Sequence, residues 1–379
     1  MKIVIAPDSF KGTLTALEAA DLIKKGFKKV FPEADYIEIP MADGGEGTAR
    51  SLVDASGGKI ITHQVKDPLG RDIEAHFGIM GDGKTAVIEM AAASGLPLIK
   101  TSERNPLKTT TFGTGQLIKK ALDLNVSKII IGIGGSATVD GGAGMAEALG
   151  IDLKDVNDKT LDFGGEALKN LVTIDTKNQD PRLEKTEFLV ACDVDNPLIG
   201  DKGAARVYGP QKGATPEMVE ILEESLNNLS QIVKKDLNID IADLPGAGAA
   251  GGLGGGLVAF CKARLKLGVE IVTEAVELEK HIQGADLVIT GEGQTDYQTA
   301  FGKAPAGVAN VAKKCNVPVI AISGSLGERV HDVLSCGIEA YFSTLPTCLS
   351  EEEIKQQAGT MLEECSEQVA RAIKIGKNL

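Results

Sequence analysis

The chain has 379 residues and an ordinary hydrophobic share of 43%, which argues against disorder and makes two domains the expectation. Its formal net charge of −13 argues against a nucleic-acid partner, whose phosphates call for clustered Lys and Arg. Aromatics are 4%, Trp is absent and Gly reaches 45 residues, a mix suited to helices packed closely on sheets and to tight loops.

Residues 2–6 (KIVIA) read as a short, buried parallel strand. The run is too short for a signal peptide, and no stretch approaches the roughly 20 apolar residues that span a bilayer. A cytoplasmic protein with no membrane partner is expected. The six cysteines show no CxxC pair and no zinc spacing, as expected of reduced thiols. After the loop PDSFKGT (7–13), Thr15 and Glu18 form a capping box. The helix that follows carries one apolar stripe of Leu17, Ala20, Leu22, Ile23, Phe27 and Val30. Residues 34–39 make the second strand of this βαβ start.

Residues 59–92 then alternate apolar and polar, with turn signals at 68–70 and 81–83, the pattern of an antiparallel meander. Further along come a helix at 117–124, a strand at 128–133, a helix at 141–149 and a strand at 188–192. Thr215 and Pro216 head a long helix reaching about residue 237. From 286 the βαβ rhythm returns: strand 287–290, helix 305–314, strands 318–323 and 341–344, and a last helix after Ser350. Parallel signals at both ends around a mixed region predict one domain, 1–58 plus 283–379, with a second, 59–282, inserted into it.

Five segments set glycines beside carboxylates after an apolar run or helix: IEIPMADGGEGT (37–48), IIIGIGGSATVDGGAG (129–144), FLVACDVDNPLIG (188–200), DLPGAGAAGGLGGG (243–256) and LVITGEGQTD (287–296). Glycine lets backbone N–H groups approach a ligand, and in open α/β sheets ligands sit beyond the carboxyl ends of strands. The five together point to an active site for a phosphorylated ligand with a divalent metal. Two familiar motifs fit less well. GIMGDGKT (78–85) matches the Walker A pattern, but a strand-like run follows it where a P-loop needs a helix, so a hairpin turn is expected. Gly132–Ala137 is a GxGxxA with Asp152 twenty residues on, a partial dinucleotide fingerprint. Asp140 among the following glycines would repel a pyrophosphate.

The carboxylates at strand or loop ends are Asp43, Glu46, Asp193, Asp195, Glu292 and Asp296. Any one of them caps a turn as readily as it does chemistry. Together they suit Mg²⁺, which needs only one or two carboxylates besides phosphate oxygens. Candidate cations for an anionic substrate are Lys11, Arg71, Arg206, Lys212 and Lys303; Ser9, Ser136 and Thr138 can donate hydrogen bonds. The four histidines show no metal spacing, and GxSxG is absent, so nothing points to a serine hydrolase.

These residues make the chain resemble the glycerate kinase type-1 family almost end to end. The shared boxes are APDSFKGT (6–13), PMADGGEGT (40–48), DPLGR (67–71), GIGGSATVDGGAG (132–144), CDVDNPLIG (192–200), GPQKGA (209–214), PGAGAAGGLG (245–254) and GEGQTDYQTAFGKAPAGVA (291–309). The resemblance implies an α/β protein: a flavodoxin-like parallel-sheet domain formed by both chain ends, with a mixed-sheet α/β domain inserted. It also implies ATP-dependent phosphorylation of D-glycerate with Mg²⁺, commonly to 2-phosphoglycerate, with the 3-phospho isomer as the alternative.

Phosphoryl transfer rests on positioning, charge neutralisation and a carboxylate that accepts the hydroxyl proton. On this basis Asp193 is the expected base, with Asp296 its rival, and Asp43 and Glu292 the expected metal ligands. Lys11 and Arg71, with Lys212 and Ser9, are expected to grip glycerate and the phosphoryl group. ATP is expected on the glycine loops, at Gly134, Gly135, Ser136 and Thr138 and at Gly248, Gly251 and Gly252, held by backbone N–H groups. Two other classes stay open on the residues alone: a nicotinamide-dependent oxidoreductase and a sugar-acid sensor. The residues carry no signal for an oligomeric state.

Overall fold

A computed structural model describes residues 1–45 and 47–377; the candidate carboxylate Glu46 lies outside the described residues. In chain order the strands of the two main sheets are β1 Lys2–Ile5, β2 Asp35–Glu38, β3 Lys59–Lys66, β4 Asp72–Ile79, β5 Thr85–Glu89, β6 Lys128–Gly132, β7 Glu187–Ala191, β8 Arg264–Lys266, β9 Leu287–Thr290, β10 Val319–Ser323 and β11 Ala340–Ser343. Contacts divide the chain into two compact units. One comprises Met1–Asp43, Arg50–Gly57 and Val269 onward; the other comprises Gly44–Ala49 and Gly58–Gly268.

The first unit holds a 5-stranded sheet in the order β11-β10-β9-β1-β2, with every pair parallel. Counted within the unit this is the doubly wound order 2-1-3-4-5, which reverses direction between β1 and β9. Ile3, Val4 and Ile5 have no exposed surface, so β1 reads as a continuous apolar run because both of its faces are covered. On one face Ile3, Ile5, Leu287, Ile289 and Ile322 pack with Ala20, Ile23 and Phe27 of the helix Ala16–Lys28 and with Leu362, Val369 and Ala370 of the helix Glu351–Gly376. Gly26 lets these two helices meet closely, since a Cβ there would stand 2.4 Å from the Glu363 carbonyl oxygen. The helix Ala304–Lys314 packs on β9 and β10.

The second unit holds a 6-stranded mixed sheet, β8-β7-β6-β5-β4-β3. β5 to β8 pair in parallel, while β3 and β4 form the antiparallel meander expected from the alternation. The Walker-like segment is a hairpin turn between β4 and β5. Gly83 N–H donates to Met80 O at 2.9 Å, and Asp82 Oδ1 accepts from Lys84 and Thr85 N–H at 2.8 and 2.9 Å. Three-residue strands escaped the sequence pattern: β8, and the hairpin of Asp152–Lys154 with Thr173–Asp175. Asp152, the acid of the partial dinucleotide fingerprint, lies in that hairpin opposite Asp175. The α/β class with a parallel and a mixed sheet is the one the sequence predicts. Among the described residues no helix is long and apolar enough to cross a membrane.

Candidate functional site

A cavity of about 410 Å³ lies in the first unit, at the carboxyl ends of its parallel strands, where the fold places ligands. Parallel pairing continues past the strand ends and fixes the chain there. Met41 N–H donates to Pro7 O at 2.9 Å, Asp8 N–H to Gly291 O at 2.8 Å, Gly324 N–H to Glu292 O at 3.0 Å and Thr344 N–H to Ser323 O at 2.9 Å. Glycine at 291 is required by this closeness, because a Cβ would stand 1.9 Å from the Ile322 carbonyl oxygen. Asp8, Ser9, Lys11, Asp43, Glu292, Asp296 and Lys303 therefore line one cavity although they come from both ends of the chain.

Each polar side chain has a local reason for its position. Phe10 N–H donates to Leu14 O at 2.9 Å and Thr13 N–H to Phe10 O at 2.8 Å, closing a turn that presents the exposed Lys11. Thr299 and Thr295 hydroxyls donate to Glu292 Oε1 at 2.6 and 3.2 Å. Asp296 Oδ1 accepts from Gln298 N–H at 2.9 Å, capping the turn Tyr297–Phe301. Lys303, at the head of the helix Ala304–Lys314, places Nζ 3.6 Å from both Glu292 Oε2 and Asp296 Oδ1.

Electrostatics mark the cavity as short of positive charge. Burial pushes the Asp8 carboxyl up to about 7, reinforced by Asp43 and Glu292, although Ser9 N–H donates to Asp8 Oδ1 at 2.6 Å. Burial also raises Glu292, against the pull of Thr299 and Lys303. Several carboxylates held in a partly dehydrated cavity repel one another, and that repulsion is relieved by a bound cation. Asp8 is not among the candidate carboxylates that the sequence pattern singles out. The available signal was a carboxylate directly after a buried β-branched strand, disguised by Pro7 and Ser9 as an ordinary turn residue.

The residues assigned to nucleotide and substrate in the second unit are arranged differently. Lys212 is only 2% exposed. Its Nζ donates to Thr138 O at 2.7 Å and to Ser136 Oγ at 3.2 Å, and burial brings its pKa down to about 7 against the pull of Asp140. Lys212, expected to grip glycerate, has its side-chain nitrogen enclosed by the loop it holds. Ser136 Oγ lies 3.1 Å from Thr138 Oγ1 and donates to Ala250 O at 3.2 Å. Asp140 is buried and accepts from Thr111 N–H and Oγ1–H, both at 2.8 Å, and from Gly142 and Gly144 N–H at 3.2 and 3.3 Å.

The two glycine-rich loops are packed on each other. A Cβ on Gly251, whose φ is +72°, would stand 1.9 Å from Thr138 O, and one on Gly252 would stand 2.9 Å from the Gly141 Cα. Gly248 would meet Pro197 O at 2.1 Å. Gly248, Gly251 and Gly252, expected to cradle ATP, are buried against protein, so close backbone packing accounts for glycine there. Gly134 and Gly135 are exposed.

Asp193 and Asp195 are exposed beyond the end of β7, and Asp193 Oδ1 accepts from Gly268 N–H at 2.9 Å. Arg71 pairs with Asp67 at 2.6 Å and Glu103 at 2.9 Å.

Comparison with known proteins adds identity to this geometry. The glycerate kinase family matches residues 3–374. The glycerate kinase of Bacillus subtilis (strain 168) is 52% identical over 379 residues, covering 100% of this chain and 99% of that protein. The glycerate 2-kinase of Escherichia coli (strain K12) is 51% identical over 376 residues, covering 99% of both. Among solved structures, that of a candidate glycerate kinase 2 from Salmonella typhimurium LT2 superposes with a TM-score of 0.94 at 50% identity, covering 100% of both chains. The chain belongs to the glycerate kinase family.

Proposed function

We propose that the protein transfers the γ-phosphoryl group of ATP to a hydroxyl of D-glycerate, giving 2-phosphoglycerate, at the strand-end cavity of the first unit. Family membership and the full-length likeness to a glycerate 2-kinase support the reaction and the product. The observation that carries the location is the gathering of Asp8, Asp43, Glu292 and Asp296 with Lys11 and Lys303 around one cavity.

The donor set fits magnesium. It is all oxygen, and burial, reinforced by Asp43 and Glu292, pushes Asp8 up to about 7. Magnesium keeps water and phosphate oxygens in its shell and so asks few ligands of the protein. Asp43 and Glu292 would hold it, and the ion would supply charge neutralisation at the phosphates.

The chain's own residues do the rest. Lys11 and Lys303 meet the phosphoryl oxygens, and Ser9 donates a hydrogen bond to glycerate. Asp296 takes the proton from the attacking hydroxyl as its oxygen bonds to the γ-phosphorus and the bond to the ADP oxygen breaks. Asp296 is preferred to Asp193 as base because it lines the cavity. We also propose that the chain is organised as the sequence suggests, with one domain inserted between the chain ends; the sequence puts its end at 282, whereas the contacts group Val269 onward with the first unit.

A coupled assay of ADP release tests this reading. Turnover should require ATP and D-glycerate together, stop with EDTA and return with Mg²⁺. Phosphorus NMR of the product should show the phosphate on the C2 oxygen. Turnover that needs NAD(P), or binding without turnover, would end the proposal.

A further inference from the structure

One wall of the strand-end cavity is apolar. It is built by Phe10, Leu345, Ile354, Ala358 and Met361. The last three lie on the helix Glu351–Gly376 at spacings of four and three residues, hence on one face. Ser350 fixes where that helix begins, since its Oγ accepts from Glu353 N–H at 3.3 Å while Glu353 Oε2 accepts from Ser350 N–H at 2.8 Å. A neighbouring face of the same helix carries Leu362, Val369 and Ala370 into the core, so the helix both anchors and lines.

D-glycerate gives this wall nothing to recognise. It is a three-carbon acid with a carboxylate and two hydroxyls and has no apolar surface to bury. Its size is also well short of a cavity of about 410 Å³, a volume within the range of roughly 300–1,000 Å³ that holds larger ligands. A nucleotide matches both walls, having a flat apolar base at one end and an anionic chain at the other. Met361 supplies a polarizable sulfur of the kind that packs well on an aromatic ring. The polar side lies at β1 and β9, where the strand order reverses and nucleotides bind in sheets of this type.

We propose that the apolar wall of Phe10, Leu345, Ile354, Ala358 and Met361 receives the purine nucleoside of the phosphoryl donor, with its phosphates directed to Lys11 and Lys303. This rests on the kinase reading and assigns the donor to residues of the first unit instead of the glycine loops of the second.

The test uses the full chain with ADP and D-glycerate as probes. Ile354→Glu puts a charge on the wall and should raise the KM for ATP at least tenfold while leaving the KM for D-glycerate within about twofold. On the unaltered protein, hydrogen exchange should show that ADP protects the backbone of 351–361 and that D-glycerate does not. Since the chain has no Trp, Leu345→Trp adds a single, selectively excitable indole whose emission should shift with ADP. A raised KM for glycerate with that for ATP unchanged, or protection by glycerate alone, would assign the wall to the acceptor and overturn the inference. So would ADP protection confined to 132–144 and 246–256. The kinase reading fails separately, if the unaltered protein forms no ADP from ATP and D-glycerate.

Discussion

Asp8 in the first unit and Asp140 in the second are both buried carboxylates whose pKa is raised first by burial. Asp140 is surrounded by donors: Thr111, Gly142 and Gly144 all bond to it and oppose the shift. Asp8 has Ser9 N–H and Lys11 opposing the shift, but two further carboxylates, Asp43 and Glu292, add to it. The lysines divide the same way. Lys212 is enclosed with both of its bonds inside the protein, whereas Lys11 is exposed and Lys303 half-buried at a cavity rim. Around Asp140 and Lys212 the second unit has closed its charges into a scaffold, while around Asp8 the first gathers its charges at a cavity. Glycine beside a carboxylate serves both ends, so only the partners of the carboxylate tell them apart.

The sharpest way to break that contrast is to neutralise one carboxylate in each unit. Asp296→Asn should lower kcat by about a hundredfold or more, the scale of a lost proton acceptor. Asp193→Asn should leave kcat within about threefold, because its carboxylate already holds Gly268 N–H within the second unit. Steady-state kinetics on both variants decides. A hundredfold loss in Asp193→Asn with Asp296→Asn near unaltered would move the chemistry out of the first unit.

Glycine substitutions come next in size. Gly251 and Gly12 both have positive φ, at +72° and +80°, but a Cβ on Gly251 would meet Thr138 O at 1.9 Å, while one on Gly12 has nothing within 4 Å. Gly12→Ala should cost only the backbone strain, about 1 kcal/mol. Gly251→Ala adds a steric clash between two loops and should cost about 3 kcal/mol or more. Urea denaturation followed by circular dichroism measures both. Equal costs would show that the loops of the second unit yield as readily as the turn that carries Lys11.

Much of this arrangement was legible from the residues, and the limits have a physical pattern. The apolar runs of β1 and β9 and the capping residues Thr15 and Ser350 act locally, so sequence shows them directly. The importance of Asp8 is not local. It arises when parallel pairing brings the end of β9 beside the end of β1 and sets Glu292 near it. Lys212 likewise reads as a loop lysine beside glycine until Ser136 and Thr138, more than seventy residues earlier, enclose it. For Gly248 and Gly251 the ambiguity lies in the residue itself. A backbone that must admit a phosphate and a backbone that must admit another backbone both exclude a Cβ.

The smallest effect expected is one of stability against pH, and it tests how firmly the second unit is closed. The Lys212 pKa is about 7 in the folded chain against an ordinary value of 10.5. Between those values the unfolded chain binds the proton and the folded chain does not, so stability should rise with pH across that window. The slope is at most about 1.4 kcal/mol per pH unit for one proton. Below pH 7 both states carry the charge and the contribution is flat at its least favourable. Lys212→Met keeps most of the buried volume and removes the titration, so the rise from pH 7 upward should shrink by that amount in urea midpoints taken at intervals to pH 9.5. An unchanged slope in Lys212→Met would mean that the folded lysine keeps its proton, which requires water or a counter-ion inside the loop and would make this corner of the second unit as open as the cavity of the first.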